Sequence, residues 1–246
     1  MLEFQSVSIT FHSQKVLDAV SFSVNENEKL MIVGKSGAGK SVLIKLLTGL
    51  LKPDAGKIFI EGKDTQSFNQ NEWNKTLNNF GFVFQGGALF DSLNIAENVG
   101  LKLQEDGLLS AGKIHAKVLD ALAKVGLNAN ILPKMPADLS GGMKKRVAIA
   151  RAIIHQPKYL IYDEPTTGLD PQNAGMIDEL IRDLAGQPGI TSMVVTHDLE
   201  TIRAIPGKVL LLSEGKIAFL GETQSFFAST KPEILQFLGR SLASQT

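Results

Sequence analysis

Eight residues between an apolar strand pattern and a helix pattern constrain the fold of this chain most. Gly34-Lys35-Ser36-Gly37-Ala38-Gly39-Lys40-Ser41 follow the segment KLMIV and precede VLIKLL. This is the strand–loop–helix context that the pattern G-x-x-x-x-G-K-[ST] requires. Its glycines let backbone N–H groups surround a phosphate, and the following helix adds the positive end of its dipole. The sequence therefore predicts a phosphate-binding loop in an α/β fold. The alternative, a glycine-rich turn without a ligand, is disfavoured by the complete motif.

Strands and helices alternate along the rest of the chain, apart from one helical stretch. Strand patterns occupy most of residues 2–32 and recur at residues 57–61 and 80–85 and in YLIY, TSMVVT, KVLLLS and KIAFL. Helix patterns occupy Val42–Leu51 and Pro171–Ala185, and residues 94–155 contain three helical segments and no strand. Continuous apolar strands indicate a sheet that is covered on both faces. We expect one domain over residues 1–246, in which 1–93 and 156–246 form the core and 94–155 a helical subdomain.

The composition excludes several classes of protein. Lys and Arg number 25, as do Asp and Glu, so no overall basic field attracts nucleic acid or anionic lipid. The chain has no cysteine, which excludes disulfides and cysteine-bound zinc. The N-terminus lacks a signal-peptide pattern, and no apolar run approaches the ~18 residues of a spanning helix. We expect a cytosolic chain that reaches a membrane only through a partner.

Two carboxylates follow the apolar strand YLIY. Asp163 is placed to hold Mg²⁺, and Glu164 to polarise an attacking water. Gln85, after FGFVF, could contact the metal or the water, and His197, after TSMVV, could bind a γ-phosphate. Taken alone, each polar residue would be read as a solvated strand end, so its assignment depends on the phosphate-binding loop. Asp170 has an equally simple structural reading, as the N-cap of the helix that follows.

The segment LSGGMKKR is a second anion site by its local chemistry. Ser140 is a good N-cap, and Gly141 and Gly142 leave the N–H groups of the first helical turn uncovered. Met143 shares a helical face with other apolar residues, so a packing role explains it. The sequence of this segment does not show which anion it binds.

Taken in order, these segments resemble the nucleotide-binding domain of the ABC ATPases over nearly the whole chain. The matching parts are GKSGAGKS, Gln85, LSGGMKKR, YLIYDE, Gly168-Leu169-Asp170 and His197. The resemblance implies an α/β fold: a P-loop NTPase core with a mixed sheet flanked by helices, an inserted helical subdomain and an N-terminal antiparallel β element. It also implies ATP and Mg²⁺ as ligands, and a head-to-tail homodimer in which LSGGM of one chain meets the γ-phosphate held by the other.

The resemblance assigns roles to individual positions. Catalytic roles fall on Glu164, His197, Gln85 and Lys40. ATP contacts fall on Phe11, Gly34, Lys35, Ser36, Gly37, Ala38, Gly39, Lys40, Ser41 and Val42, and in trans on Ser140, Gly141, Gly142 and Asp170. Metal contacts fall on Ser41, Gln85 and Asp163. Phe11 would stack on the adenine, although an ordinary apolar strand residue is the alternative there.

Three phrases are similar to the ATPase subunits of the MCE-linked phospholipid transporters of the Mla type. They are LSGGM with its basic residues, FVFQGGALFDSLNIAENVGL, and EILQFLG at 233–239. This similarity implies phospholipid transport with an integral permease and an MCE-domain lipid-binding protein, no nucleic acid, and a place on the cytoplasmic face of the inner (plasma) membrane. An amino-acid or other small-solute importer ATPase is the alternative. A soluble ABC ATPase without a membrane partner is disfavoured by the single cassette and the absence of cysteine and of a basic stripe.

Leu89 and Phe90 follow two glycines close to Gln85 and precede a polar Asp-Ser pair. We expect both side chains to face solvent and to form the groove that receives a coupling helix of the permease, as the resemblance also implies. The alternative is a core position for the pair between the two lobes.

Overall fold

Ten strands occur in residues 1–239, the part of the chain that this computed structural model describes; residues 240–246 of the expected domain lie outside it. The strands are β1 (Leu2–Phe11), β2 (Gln14–Val24), β3 (Lys29–Val33), β4 (Ala55–Ile60), β5 (Lys63–Asp64), β6 (Phe80–Val83), β7 (Tyr159–Asp163), β8 (Thr191–Thr196), β9 (Lys208–Ser213) and β10 (Lys216–Glu222). One sheet is antiparallel, in the order β2-β1-β4-β5. The other has the order β10-β9-β3-β8-β7-β6, and all of its pairings are parallel except that of β10. This arrangement confirms the predicted mixed sheet and the N-terminal antiparallel element.

Five of the nine α-helices in residues 1–239 lie where the sequence predicts helices. They are α1 (Lys40–Leu47), α2 (Gln70–Leu77), α3 (Ile95–Asp106), α4 (Ala111–Lys124), α5 (Gly141–Ile153), α6 (Pro171–Ala185), α7 (Leu199–Ala204), α8 (Thr223–Phe227) and α9 (Pro232–Phe237). The predicted end of α1 at Leu51 is wrong, because Gly49 adopts a φ of 73° and stops the helix. Helices α2, α7, α8 and α9 were not predicted, although the capping box of Asn69 and Glu72 at the start of α2 is a recognisable signal.

Strand β3 shows why the central sheet is buried on both faces. Its side chains alternate between two apolar clusters, with Met31 and Val33 in one and Leu30 and Ile32 in the other, all inaccessible to solvent. Period-2 alternation sends successive side chains to opposite faces, so a strand covered on both sides is apolar throughout. The phosphate-binding loop thus begins at the end of a strand fixed from both sides.

The helices between β6 and β7 contribute to the larger of these clusters. In α3, a Cβ added at Gly100 would lie 3.2 Å from the Ile114 side chain of α4, so the two helices pack closely. Residues 94–155 contain these helices and no strand in the structure, in agreement with the sequence pattern. Their division from the core as a subdomain stays a prediction. Within residues 1–239, none of the helices combines the length and hydropathy needed to cross a bilayer.

Candidate active site

A cavity of about 630 Å³ lies at the carboxyl ends of β3, β7 and β8. Parallel strands end at the same edge of a sheet, which is where ligands bind in α/β folds. The lining residues are Val16, Gly34, Lys35, Ser36, Gly37, Ala38, Gly39, Lys40, Ser41, Val42, Gln85, Asp163, Glu164, Val195, His197, Gln236 and Phe237. The structure therefore brings the whole phosphate-binding loop together with Gln85, both carboxylates and His197.

The path of the phosphate-binding loop depends on glycine at two positions. A Cβ at Gly34 would lie 2.5 Å from the Leu212 carbonyl oxygen, and one at Gly39 would lie 2.7 Å from the Leu17 side chain. Gly39 also has a φ of 102°, a conformation that other residues rarely adopt. The loop consequently follows a path close to its neighbours that a side chain at either position would block.

Lys40 lies within the loop and is only 9% exposed. Its ammonium donates to the carbonyl oxygens of Gly34 at 2.7 Å and Lys35 at 3.2 Å. Burial lowers the pKa of Lys40, and the negative charges of Glu164 and Asp163 act in the opposite direction. A cation thus faces two carboxylates across the cavity, where it is available to an anionic ligand.

The oxygen donors beside the loop fit a magnesium ion. Burial raises the pKa of Asp163, as does the adjacent charge of Glu164, so a cation at this carboxyl would relieve an unfavourable charge. The Ser41 hydroxyl and the Gln85 amide line the same cavity. Among residues 1–239, no group of three His, Cys, Asp or Glu side chains could hold a metal. Magnesium at nucleotide sites is held by one or two carboxylates together with substrate phosphates, which this donor set matches.

Gln85 does not end a strand, contrary to the sequence prediction. Strand β6 stops at Val83, and the Gly87 N–H donates to the Phe84 carbonyl at 2.8 Å in a turn. The turn begins at Phe84, directly after β6, and positive φ values at Gly87 and Ala88 carry the chain further from an extended conformation. Gln85 is therefore carried by a loop that α5 holds in place, as described below.

Glu164 is held in a strained backbone conformation by several contacts. Its φ is 49°, which costs a non-glycine residue roughly 1–3 kcal/mol. Its N–H donates to the Val195 carbonyl at 2.9 Å, and the Thr167 hydroxyl donates to its carboxylate at 3.2 Å. The His197 Nδ1 lies 2.8 Å from the same carboxylate, a contact that the sequence did not predict. The carboxylate thus has a fixed position at the cavity wall.

The N-terminal end of α5 lies away from the cavity. Ser140 caps the helix as predicted, because its hydroxyl accepts from the Met143 N–H at 3.3 Å. Ser140, Gly141, Gly142 and Asp170 do not line the cavity. Asp170 is the N-cap of α6, where its carboxylate accepts from the Asn173 N–H at 3.0 Å. Both capped helix ends are therefore separate from the phosphate-binding loop of the same chain.

The structure shows the surroundings of Met143 and Phe11, two residues to which the family resemblance draws attention. Met143 is partly buried against the larger apolar cluster, as its helical spacing predicts. Phe11 ends β1 and is exposed, but it is not among the residues that line the cavity. Its contact with adenine stays a prediction. Val16, in the strand that pairs with β1, lines the cavity, and no motif in the sequence indicated it.

Lys145 is a buried residue of the site that the sequence analysis passed over. It is 6% exposed, and its ammonium donates to the carbonyl oxygens of Gln85 and, at 3.3 Å, of Glu164. A signal for it exists in the sequence. Lys145 lies three residues after Gly142 and three before Ala148, both buried, so helical periodicity turns it towards the protein interior.

Comparison with known proteins agrees with this geometry. Residues 17–167 match the sequence family described as ABC transporter. The Arabidopsis thaliana protein trigalactosyldiacylglycerol 3, chloroplastic, is 40% identical, over 98% of this chain and 74% of the relative. The methionine import ATP-binding protein MetN of Rhizobium etli is 37% identical, over 93% of this chain and 63% of the relative. The intermembrane phospholipid transport system ATP-binding protein MlaF of Escherichia coli (strain K12) is 34% identical, over 97% of this chain and 88% of the relative.

A solved structure shares the fold. It is described as the dimeric, post-hydrolysis state of the ATP-binding cassette MJ0796 bound to ADP and Pi. Its TM-score with this chain is 0.82 at 31% identity, and the superposition covers 91% of this chain and 99% of that one.

Proposed function

Since this chain belongs to the ABC transporter family, as an ATPase subunit, we propose that it drives phospholipid movement in an MCE-linked complex of the Mla type. The convergence of the phosphate-binding loop, Asp163, Glu164 and His197 on one cavity carries the ATPase part of the proposal. The phospholipid part is supported by the similarity to MlaF, whose name specifies phospholipid transport. In this proposal the chain is cytoplasmic and binds a permease at the inner (plasma) membrane.

The proposed hydrolysis follows from the positions of the side chains. Lys40 exchanges its loop carbonyls for the β- and γ-phosphates of ATP and neutralises part of their charge. Glu164 accepts a hydrogen bond from the attacking water, and the contact with His197 keeps its carboxylate in place. Mg²⁺, held by Ser41, Gln85 and Asp163, would neutralise further phosphate charge when bound.

The site is completed by a second copy of the chain. Ser140, Gly141 and Gly142 present a capped helix end with no phosphate near it in their own chain. A head-to-tail homodimer places this end, together with Asp170, on the γ-phosphate held by Lys40 of the partner, so that the dimer closes on ATP and opens after hydrolysis. The dimeric ADP-bound cassette of similar fold supports this arrangement.

Mixing two inactive variants tests the shared site. Ser140→Arg should leave ATP binding at the loop intact but block closure, because the long side chain fills the gap above the glycines. In a heterodimer with a Lys40→Ala chain, one site carries both changes and the other carries neither. We expect the mixture to recover a substantial part of the wild-type ATPase rate that each variant alone lacks. A mixture no more active than its components would place each site within one chain.

A groove beside the site is the proposed surface for the permease. This cavity of about 550 Å³ is lined mainly by apolar side chains, which include Phe84 and Phe90, together with polar and charged ones such as Arg151 and Glu105. Phe90 is 51% exposed, and the Arg151 guanidinium lies 5.9 Å from its ring centre. The expectation for Leu89 is wrong, because it is partly buried against the larger apolar cluster. An exposed aromatic side chain in a groove is a typical anchor for a partner, here a coupling helix of the permease.

Replacing Phe90 with aspartate tests the groove. Since the ring is half exposed, the variant should melt within a few degrees of the wild type and bind ATP normally. It should lose the permease in co-purification from membranes, because a charge replaces the apolar anchor. Leu108→Asp is a matched control, since Leu108 is 85% exposed and does not line the groove. A Phe90→Asp variant that keeps the permease would contradict the docking role, whereas a large fall in melting temperature would identify a core residue.

Purification from native membranes tests the substrate class. We expect the tagged chain to bring down one permease and an MCE-domain protein, and the reconstituted complex to move labelled phospholipid between vesicles only with ATP. A permease with a soluble solute-binding protein would instead favour a small-solute importer, a reading that the similarity to MetN supports. Recovery of active ATPase with no membrane partner would contradict both readings.

A further inference from the structure

Lys145 joins the two catalytic loops from the interior of the protein. Its ammonium donates to the backbone oxygens of Gln85 and Glu164, residues that follow β6 and β7 respectively. Both contacts are to main-chain atoms, so they act on the position of the loops and do not involve the side chains of Gln85 and Glu164. A hydrogen bond from a charged donor stabilises more than a neutral one, and a buried charge without partners is costly.

The backbone of Glu164 needs such support. Its φ of 49° is unfavourable, and conformations of this kind persist only where the surroundings fix them. The peptide N–H is fixed by the Val195 carbonyl, on the side of β8. The carbonyl oxygen accepts from Lys145, on the side of α5, and from the Thr167 N–H at 3.3 Å. Loss of Lys145 would leave this carbonyl held only from within its own turn, by Thr167, so we expect the peptide to relax towards an ordinary conformation and the carboxylate to move with it.

A second basic side chain of α5 holds the remainder of the Gln85 loop. The Arg151 guanidinium donates to the carbonyls of Ala88 at 2.7 Å and Gly87 at 2.9 Å. Within residues 1–239, the hydrogen bonds and the cation–π contact of Arg151 go to this loop and to Phe90, whereas Lys145 also donates to Glu164. Lys145 is therefore the residue through which the position of the Gln85 loop is transmitted to the general base.

The charge of Lys145 has an electrostatic function as well. Lys40 and Lys145 both lie within the fields of Asp163 and Glu164. In the proposed reaction Lys40 turns to the phosphates, and Lys145 cannot follow because, unlike Lys40, it does not line the cavity. It stays as a fixed cation beside the carboxylates throughout the cycle.

We infer that Lys145 is a positioning residue for ATP hydrolysis. By donating to the carbonyls of both Gln85 and Glu164, it fixes the position of one residue relative to the other. The inference rests on the proposed function, in which Glu164 polarises the attacking water. It concerns kcat and leaves ATP affinity to the phosphate-binding loop, because Lys145 does not line the cavity. A displacement of about 1 Å in a reacting group can reduce the rate about 100-fold, so small loop shifts have large effects.

Three full-length variants test this role: Lys145→Met, which keeps the length and removes the donor; Lys145→Arg, which keeps donor and charge; and Lys113→Met as control. Lys113 is exposed on α4, so the same chemical change there removes one charge without a buried contact. For Lys145→Met we expect kcat to fall by about tenfold or more, with KM and the Kd for ATP within about threefold of the wild type. Lys145→Arg should recover a large part of kcat, and Lys113→Met should match the wild type.

The outcomes separate the inference from the proposed function. A folded Lys145→Met variant with wild-type kcat would overturn the inference, and so would a parallel loss of kcat and ATP affinity, which indicates general damage to the cavity. If Lys145→Met does not fold, Lys145→Gln decides by the same criteria. Glu164→Gln is measured alongside. Normal hydrolysis by that variant would overturn the proposed function itself, whereas an inactive Glu164→Gln beside a fully active Lys145→Met would overturn only the positioning role.

Discussion

Replacing Glu164 with glutamine is expected to reduce ATP hydrolysis by about 100-fold or more, while ATP still binds. The amide has nearly the same shape, so the strained backbone and its contacts with Val195 and Lys145 can be kept. It cannot polarise the attacking water or accept its proton as a carboxylate does. Phosphate release at saturating MgATP measures the loss, and equilibrium binding of a labelled ATP analogue measures the affinity.

The same variant should accumulate as a closed dimer on ATP. If closure precedes hydrolysis, blocking the chemical step traps the head-to-tail pair, which light scattering would detect as a doubled mass in the presence of ATP only. Glu179→Gln is the matched control, because Glu179 is exposed on α6 and does not line the cavity. Normal turnover by Glu164→Gln would exclude the residue as the general base.

The parts of the fold that were predicted well depend on local patterns. The boundaries of α6 agree with the prediction because Asp170, Pro171 and Gly186 mark its two ends. The phosphate-binding loop could be placed because its motif, the strand before it and the helix after it are contiguous. The end of β6 was misplaced by two residues, since a run of mostly apolar residues does not reveal that the chain enters a turn at Phe84.

The parts of the site that were missed depend on contacts between distant segments. Val16 reaches the cavity because β2 pairs with β1 beside the loop, and Gln236 and Phe237 reach it from α9. No spacing along the chain encodes these approaches. Lys145 could be predicted only in part. Its burial follows from helical periodicity, but its two acceptors are known only once β6, β7 and α5 are assembled.

Replacing Lys40 with alanine should remove productive ATP binding at ligand concentrations near the wild-type Kd. The ammonium now donates to two loop carbonyls, and in the proposed complex it donates to the β- and γ-phosphates instead. Two charge-assisted hydrogen bonds at about 1.5 kcal/mol each amount to about 3 kcal/mol, or roughly a 100-fold weaker Kd. Binding of a labelled, non-hydrolysable ATP analogue to the purified chain measures the change directly.

Two comparisons separate loss of the phosphate contact from damage to the loop. Lys113→Ala removes an exposed lysine and should leave the Kd unchanged. The melting temperature of Lys40→Ala without nucleotide reports the cost of leaving the Gly34 and Lys35 carbonyls without this donor. We expect it to fall by a few degrees while the protein stays folded.

The difference between wild type and variant should appear when ATP is added. The wild type gains stability in proportion to the logarithm of ligand concentration over Kd, and the variant should gain almost none. An equal thermal shift in both proteins would mean that Lys40 does not bind the phosphates, and the assignment of this loop as the ATP site would then fail.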